Sequence, residues 1–239
     1  MSTYLITGTT SGLGESMARK LCQAKHTVYG VARRAEKLAA FSEMFPDYFR
    51  AFPGDVCDAA RAREICEQLP NLPDIAILNA GIGEFDAPDG PSTEQHRRIF
   101  DTNYFGVLNF VEPLFKAMAA RGHGKLVVIS SLGAFRALPR AGVYGASKAA
   151  LTSAIESMRL TYGKKGVEFV LVHPGFVATP MNKGAKDKLP FILETDHAAR
   201  EILDGVHQGK LTINFPLPIR LAMTVAQLVP PGLYRRLIK

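Results

Sequence analysis

The first glycine-rich turn of the chain reads Thr7-Gly8-Thr9-Thr10-Ser11-Gly12-Leu13-Gly14. It follows the apolar run Tyr4-Leu5-Ile6 and precedes a helical pattern that begins near Glu15. A strand, a glycine-rich turn and a helix in this order form a phosphate site, because the helix start offers free N–H groups and partial positive charge. The three glycines allow, in order, a sharp turn, close approach of a pyrophosphate and tight packing of the helix.

The spacing of this turn leaves its ligand open. Gly-x3-Gly-x-Gly differs from the commonest dinucleotide fingerprint, and Gly14-Glu15-Ser16 lacks the lysine that a nucleoside-triphosphate loop requires. A flexible turn without a ligand is the alternative interpretation, so the rest of the sequence has to decide.

Composition sets broad limits on the protein class. The chain has 239 residues, of which 47% are hydrophobic, and can bury one α/β core in a single domain. The net charge of +7 comes from scattered basic residues, which argues against nucleic-acid binding and suits an anionic cofactor. The three cysteines, Cys22, Cys57 and Cys66, lack metal-ligand spacing, so we expect buried thiols in a reducing compartment and no metal site. Without an export signal or a run of about 18 apolar residues, the expected localisation is cytoplasmic.

Apolar runs alternate with helical patterns, which predicts a parallel sheet with helices on both faces. Right-handed crossovers then give a doubly wound, seven-stranded α/β sheet of the Rossmann type, with the ligand crevice at the carboxyl ends of its strands. The predicted strands are 3–7, 26–31, 49–52, 75–79, 125–130, 167–172 and 211–214. The predicted helices are 12–24, 34–45, 58–68, 92–120, 142–163 and 195–208. We assign 1–214 to the cofactor-binding and catalytic part and 215–239 to a tail of the same domain.

Three strand ends supply candidate cofactor contacts. The second strand runs into Ala32-Arg33-Arg34, where an acidic residue would bind the ribose of NAD; arginines there favour the phosphate of NADP(H) over NAD(H), unless Arg33 is simply a solvated helix-start residue. Asp55, before Val56, can accept a hydrogen bond from an adenine amino group. Asn79-Ala80-Gly81 can tie neighbouring strands and leave room for a ribose, although simple turns fit both segments equally well.

Tyr144 and Lys148 open the predicted helix after the fifth strand, and their spacing places them on one helical face. A free phenol has a pKa of about 10, and both a lysine ammonium and a positive nicotinamide ring favour the phenolate. A pKa near 7 requires roughly 4 kcal/mol of differential stabilisation and would make Tyr144 a general acid for ketone reduction. Ser131 can donate its hydroxyl to the substrate oxygen.

At these positions the sequence resembles the short-chain dehydrogenase/reductase family, over residues 3 to about 180. The family's cofactor loop corresponds to Thr7–Gly14, its Tyr-x3-Lys pair to Tyr144 and Lys148, and its catalytic serine to Ser131. The resemblance implies that Tyr144 protonates a carbonyl oxygen while the nicotinamide delivers hydride, and that Lys148 also binds the nicotinamide ribose.

The resemblance also assigns Asn103 to a proton relay through a bound water, and Pro174-Gly175 to the nicotinamide wall. The expected catalytic residues are Ser131, Tyr144, Lys148 and Asn103. The expected cofactor-binding residues are Gly8, Thr10, Ser11, Gly12, Leu13, Gly14, Arg33, Arg34, Asp55, Val56, Asn79, Ala80, Gly81, Tyr144, Lys148, Pro174, Gly175, Val177 and Thr179.

Two residues and the tail depart from the family pattern. Leu78 replaces an asparagine, which affects packing more than chemistry, and His173 is expected to be a shielded, hydrogen-bonded imidazole rather than a second acid. After 214 the chain continues instead of ending in the segment that packs many members into tetramers. In 219–229 a narrow polar stripe leaves a wide apolar face that must be covered. A cover over its own cleft or core is favoured, then a dimer contact, and last a membrane surface; a homodimer through the two long helices is expected.

The segment 181–195 is the expected substrate lid, and Phe191-Ile192-Leu193 can fold over an apolar substrate. The leading interpretation is an NADP(H)-dependent oxidoreductase that reduces a small-molecule ketone or aldehyde, or oxidises the alcohol. The first alternative is a 3-oxoacyl carrier-protein reductase, which the basic residues Lys183, Lys186 and Lys188 of the lid favour and the unusual C-terminal tail disfavours. A second, from another class, is a non-catalytic NADP(H)-sensing or scaffold protein on the same fold.

Overall fold

The chain was analysed as a computed structural model that describes residues 1–182 and 189–238, without the side chain of Asn182. Its seven strands form one sheet, all parallel, in the order β3-β2-β1-β4-β5-β6-β7. The predicted doubly wound, Rossmann-type sheet is therefore confirmed. The strands are β1 (Thr3–Thr7), β2 (Thr27–Ala32), β3 (Phe49–Pro53), β4 (Ile75–Leu78), β5 (Gly124–Ile129), β6 (Val167–Pro174) and β7 (Thr212–Phe215).

Helices cover both faces of this sheet. The described helices are α1 (Gly12–Gln23), α2 (Ala35–Met44), α3 (Ala59–Gln68), α4 (Thr93–Phe100), α5 (Gly106–Arg121), α6 (Gly142–Tyr162), α7 (Thr195–His207), α8 (Leu217–Leu228) and α9 (Pro231–Leu237). Helices α1, α2 and α7 share one core with Tyr4 and Ile6, and α3, α5 and α6 share the other with Leu5. Neighbouring residues of one strand enter opposite cores, which is why the strands read as continuous apolar runs.

The long helix predicted over 92–120 is interrupted. A π-helical turn, Asp101–Phe105, separates α4 from α5. The extra residue of such a turn directs the side chain of Asn103 inward, where it is fully buried. The apolar periodicity continues on both sides of the turn, so the sequence gives no sign of the interruption.

The ligand crevice expected from this topology lies between β1 and β4, where the order of the strands in the sheet reverses. Thr7 and Asn79 join the ends of these two strands. The Thr7 Oγ1 atom accepts hydrogen bonds from the backbone N–H groups of Asn79 and Ala80, each at 3.0 Å, and the Asn79 amide donates to the Thr7 carbonyl at 3.0 Å. The predicted role of Asn79 in tying the strands is confirmed, and Leu78 beside it packs in the core as expected.

The cysteine prediction is partly wrong. Cys22 is buried and Cys66 is half-buried, and burial raises the pKa of both thiols to about 12. Cys57 is exposed, because it lies in the loop after Asp55, where its Sγ is 3.4 Å from the Thr102 hydroxyl. Within residues 1–182 and 189–238, no cluster of three metal-ligating side chains occurs, and no helix has the length and apolar content to cross a bilayer.

The tail forms two helices, α8 and α9, beyond the carboxyl edge of the sheet. The prediction that its wide apolar face is covered by the protein itself holds for only one side of α8. Met223 is buried there, and Ile219 approaches Gly175. Leu221 and Leu228 on the opposite side are 52% and 82% exposed. The assignment of this tail to the same domain as 1–214 stays a prediction.

Candidate active site

A crevice of about 600 Å³ lies above the carboxyl ends of the central strands. This volume is within the range of small-molecule and cofactor sites. The predicted cofactor residues on its wall are Gly8, Thr10, Ser11, Gly12, Leu13, Arg33, Arg34, Asp55, Val56, Asn79, Ala80, Gly81, Tyr144, Lys148, Pro174, Gly175, Val177 and Thr179. Ser131 also lies on the wall, so the crevice runs from the glycine-rich turn to the catalytic residues predicted from the sequence.

Gly14 is the one predicted cofactor residue outside this wall. A Cβ atom at Gly14 would collide with the carbonyl oxygen of Gly8, so the absence of a side chain lets α1 pack directly on the turn. Gly8 itself has φ of +78°, a conformation that favours glycine. These two positions therefore shape the turn.

The start of α1 fits a phosphate. Ser11 at its N-cap makes no side-chain capping bond within the described residues, whereas Asp58 and Ser92 cap α3 and α4. The first N–H groups of α1 therefore lack a side-chain acceptor, and Ser11, Gly12 and Leu13 at this helix start line the crevice. Such a helix start is a ready anion site.

Two arginines at the end of β2 differ in their contacts. Arg34 donates to the hydroxyl of Thr10 at 2.8 and 3.1 Å and to the Thr10 carbonyl at 3.0 Å. Its guanidinium is thereby held against the glycine-rich turn. Arg33 is mostly exposed, with its Nη1 atom 3.7 Å from the Asp55 carboxylate. Arg33 thus has the freer guanidinium, and the sequence alone does not distinguish the two roles.

The Ser131 hydroxyl and the Tyr144 phenol form a side-chain hydrogen bond on the wall of the crevice. Ser131 follows β5, and its Oγ atom also accepts a hydrogen bond from the backbone N–H of Gly133 at 3.0 Å. Tyr144 lies in the first turn of α6, one turn before Lys148. The structure therefore brings together the serine, tyrosine and lysine that the sequence placed in one site.

Burial dominates the electrostatics of Tyr144 and Lys148. Burial raises the pKa of the Tyr144 phenol above its ordinary value, although the hydrogen bond with Ser131 opposes this shift. The Lys148 Nζ atom donates to the Ile129 carbonyl at 2.8 Å, which fixes the position of its ammonium group. Burial lowers the pKa of Lys148 to about 8, so this amine still carries a proton for most of the time at neutral pH.

Asn103 lies behind the crevice rather than on its wall. Its amide donates to the Ile82 carbonyl at 2.9 Å and to the Ser147 hydroxyl at 3.1 Å, and its Oδ1 atom accepts from the Ile82 N–H at 2.8 Å. These bonds fix the segment after β4 against α6. The proton relay implied by the resemblance stays a prediction.

His173 is shielded and hydrogen bonded, as the sequence analysis expects. One ring nitrogen is 2.8 Å from the Asn214 Oδ1 atom, and the other is 3.2 Å from the Thr152 hydroxyl. That hydroxyl contacts Ser130, whose Oγ atom donates to the Lys148 carbonyl. A chain of polar contacts thus connects the last two strands with the helix that carries Lys148.

Acid should destabilise the protein partly through His173. Burial lowers the pKa of its imidazole to about 4, although the hydrogen bond with Asn214 opposes this. In the unfolded chain the pKa is about 6.5, so the unfolded state binds more protons as the pH falls from 6.5 toward 4. The folded state should lose at most about 3 kcal/mol over that window.

The test is urea unfolding as a function of pH for wild type and His173→Gln. Below a pH of about 6.5, the unfolding free energy of the variant should fall less steeply with decreasing pH than that of wild type. His123→Gln, at an exposed histidine, is the control and should follow wild type. Equal slopes for His173→Gln and wild type would contradict the assignment.

The crevice includes several residues that the sequence analysis did not select. Ile82, Gly83 and Glu84 continue its wall after Gly81, next to Met181, the first residue of the predicted lid. A Cβ atom at Gly83 would lie 2.8 Å from the Met181 Sδ atom and 3.6 Å from the Tyr144 ring. Gly83, the second glycine of Gly81-Ile82-Gly83, is the sequence feature that could have indicated a close contact with Met181 and Tyr144.

The substrate side of the crevice is only partly described. Lys183, Lys186 and Lys188 of the predicted lid lie outside the described residues. Leu193 is held back from the crevice, since its N–H donates to the Phe176 carbonyl at 2.9 Å and its side chain packs against the core. Phe191 is exposed to solvent. Phe191 and Leu193 therefore do not cover the crevice together, in contrast to the prediction for 191–193.

Arg136, in the loop after Ser131, contacts the tail. Its guanidinium lies 4.5 Å from the centre of the Tyr234 ring and donates to the Val229 carbonyl at 3.2 Å. The Tyr234 hydroxyl donates in turn to the Ala137 carbonyl at 2.7 Å. This loop and the tail are therefore joined, and Arg136 is engaged away from a substrate acid group.

Comparisons with known proteins agree with this geometry. The sequence model of the short chain dehydrogenase family matches residues 2–190. An uncharacterized oxidoreductase of Myxococcus xanthus is 29% identical over 238 residues, which cover 97% of this chain and 94% of that protein. A 3-ketodihydrosphingosine reductase of Bacteroides thetaiotaomicron is 31% identical over 175 residues, 72% of this chain and 62% of that protein. A short chain dehydrogenase from Burkholderia cenocepacia, solved in complex with NADP, has a TM-score of 0.87 at 22% identity and covers 100% of this chain and 98% of its own.

The chain belongs to the short-chain dehydrogenase family, because the family match covers most of its length and includes the glycine-rich turn and the Tyr144–Lys148 pair. It is thus an oxidoreductase by family, with the Rossmann-type sheet of its structural relatives.

Proposed function

We propose that this protein is an NADP(H)-dependent oxidoreductase that reduces a ketone or aldehyde, or oxidises the corresponding alcohol. The observation that carries this proposal is the placement of Ser131, Tyr144 and Lys148 on the wall of the crevice that begins at the glycine-rich turn. A proton donor, a substrate-oxygen donor and a cation on one crevice wall suit proton transfer to a carbonyl oxygen.

Each residue has a proposed task in the reaction. When bound, a nicotinamide cofactor supplies hydride to the substrate carbon or accepts it. Tyr144 gives its phenolic proton to the carbonyl oxygen, and Ser131 donates a hydrogen bond to the same oxygen. Lys148 holds positive charge near the phenol and can donate to ribose hydroxyls. Positive charge must offset the burial that raises the pKa of Tyr144.

The proposed cofactor residues fit an anionic dinucleotide. The uncapped start of α1 can receive the pyrophosphate, and Arg33 can pair with a phosphate on the adenine ribose. Ala32, at the place of the usual acidic residue, offers no acceptor to ribose hydroxyls. Solved relatives described as bound to NADP or NADPH support the same choice.

An apolar substrate is proposed, because Ile82 and Met181 lie on the crevice wall with Tyr144 and because Arg136 is engaged with the tail. The relative named as a 3-ketodihydrosphingosine reductase has a lipid ketone in its name, which supports this class. The carrier-protein reductase remains the alternative within the family. A homodimer and a cytoplasmic location also remain predictions.

The proposal is tested by NADPH consumption over a panel of apolar ketones, aldehydes and oxoacyl thioesters, with Tyr144→Phe as the blank. We expect turnover of at least one apolar carbonyl compound by wild type alone. Turnover confined to oxoacyl thioesters would favour the carrier-protein alternative. NADPH binding without any Tyr144-dependent turnover would favour the sensing or scaffold class.

A further inference from the structure

The tail carries an apolar face that the described residues leave uncovered. Leu217, Leu221, Val225 and Leu228 recur at spacings of four, four and three residues, which places them on one side of α8. All four are more than half exposed, and so are Leu233 and Leu237 in α9. Single exposed leucines are ordinary, but a continuous apolar stripe indicates a surface that meets something else.

The charged side chains of the segment that carries this stripe, residues 205–239, are all basic. No aspartate or glutamate follows Asp204, while the same segment contains Lys210, Arg220, Arg235, Arg236 and Lys239. Arg220 borders the apolar stripe on α8, and Arg235 and Arg236 lie beside Leu237 on α9. Within residues 1–182 and 189–238, none of these three guanidinium groups is within ion-pairing distance of a carboxylate.

We propose that α8 and α9 form a docking surface for a lipid bilayer rich in anionic phospholipids. Exposed leucines enter the boundary between headgroups and acyl chains, while the arginine side chains extend to the headgroup phosphates. Basic residues near an anionic bilayer each add attraction, and neither helix is long enough to span it. The proposal is independent of the substrate, because it concerns only the tail surface.

Charge favours a bilayer over a second copy of the chain. A two-fold contact places the same patch on both partners. Arg235 and Arg236 would then face residues 205–239 of the second copy, a segment without aspartate or glutamate. Like charges brought together in this way oppose self-association. An anionic bilayer instead supplies the opposite charge and an apolar layer together.

The test is co-sedimentation of the full chain with vesicles. Phosphatidylcholine vesicles are compared with vesicles that contain about 30 mol% phosphatidylserine. We expect binding to be at least about tenfold tighter to the anionic vesicles and to weaken as salt rises. Equal binding to both vesicle types, or none to either, would overturn the proposal.

Variants separate the charged and apolar contributions. Arg235→Gln/Arg236→Gln should weaken binding to anionic vesicles about thirtyfold, since each basic residue contributes a factor of about five. Lys164→Gln/Lys165→Gln removes two exposed lysines at the opposite edge of the sheet and should change binding less than about twofold. Equal losses in the two double variants would contradict a specific tail surface.

Leu221→Ser/Leu228→Ser should also lose binding, roughly tenfold or more, whereas Leu160→Ser, at an exposed leucine of α6, should not. The substituted side chains are exposed, so the thermal unfolding temperature of every variant should stay near that of wild type, and this is measured alongside. A concentration-dependent dimer that Leu221→Ser/Leu228→Ser abolishes, without vesicle binding by wild type, would assign the face to a second copy and refute the bilayer.

Discussion

Tyr144→Phe should lower the kcat of carbonyl reduction by about a thousandfold, within the range that a general acid contributes. Phenylalanine keeps the ring that approaches Gly83 and Gly133 but removes the proton donor and the hydrogen bond with Ser131. The affinity for NADPH should change little, because the glycine-rich turn and the end of β2 supply most of the proposed dinucleotide contacts. Steady-state kinetics and fluorescence titration with NADPH measure the two effects separately.

The matched control is Tyr162→Phe, at the other end of the same helix. Tyr162 is 40% exposed and packs against Phe115, so the loss of its hydroxyl should leave kcat within about twofold. If Tyr144→Phe kept more than about a tenth of the wild-type kcat, another group would have to protonate the substrate. If it lost NADPH binding as well, the phenol would have a mainly structural role.

The double variant Arg33→Ala/Arg34→Ala should lower kcat/KM with NADPH by about a hundredfold or more. Each charge-assisted hydrogen bond to a phosphate contributes about 1.5–3 kcal/mol. NADH has no phosphate on its adenine ribose, so its kcat/KM should fall far less, only by the share that Arg34 contributes through its bonds to Thr10. The preference for NADPH over NADH is therefore the quantity to measure, with the same substrate for both cofactors.

Single variants separate the roles of these arginines. Arg33→Ala should affect NADPH alone, because Arg33 is exposed and free to meet the phosphate. Arg34→Ala should raise KM for both cofactors, because its three bonds to Thr10 support the turn that receives the pyrophosphate. Arg50→Ala, at an exposed arginine of β3, is the control and should affect neither. Equal catalytic efficiency of wild type with both cofactors would refute the preference.

The sequence predicted the sheet and most of the crevice wall, because those features depend on local patterns. A glycine-rich turn after a strand, or a tyrosine four residues before a lysine, has the same geometry wherever the fold places it. The carboxyl ends of parallel strands meet at one edge, so the strand predictions were sufficient to bring Asp55, Asn79 and Ser131 together. The strand boundaries shifted by no more than two residues.

Features that depend on contacts between distant segments were not predictable. In the π-helical turn, Asn103 is hydrogen bonded to Ile82, twenty-one residues away, a contact that the helical periodicity of the chain does not indicate. The same holds for Lys148, since its bond to the Ile129 carbonyl determines where its charge lies. Sequence spacing brought Tyr144 and Lys148 to one crevice, but it did not reveal the burial that raises the pKa of Tyr144.

The exposure of α8 could not be predicted either. Its pattern shows how wide the apolar surface is, but only the packing of Met223 reveals which side meets the core. An apolar pattern cannot distinguish a core from an external partner, because both remove the same side chains from water. The tail therefore needed the structure before its outer side could be interpreted.

The contact between Arg136 and Tyr234 has a thermodynamic consequence. This contact joins the loop that starts at Ser131 to helix α9. A change in the conformation of the loop therefore changes the free energy of α9, and the reverse also holds. Linkage then makes the coupling reciprocal: a ligand of the tail that shifts the loop changes substrate affinity by some factor, and substrate changes the affinity of that ligand by the same factor.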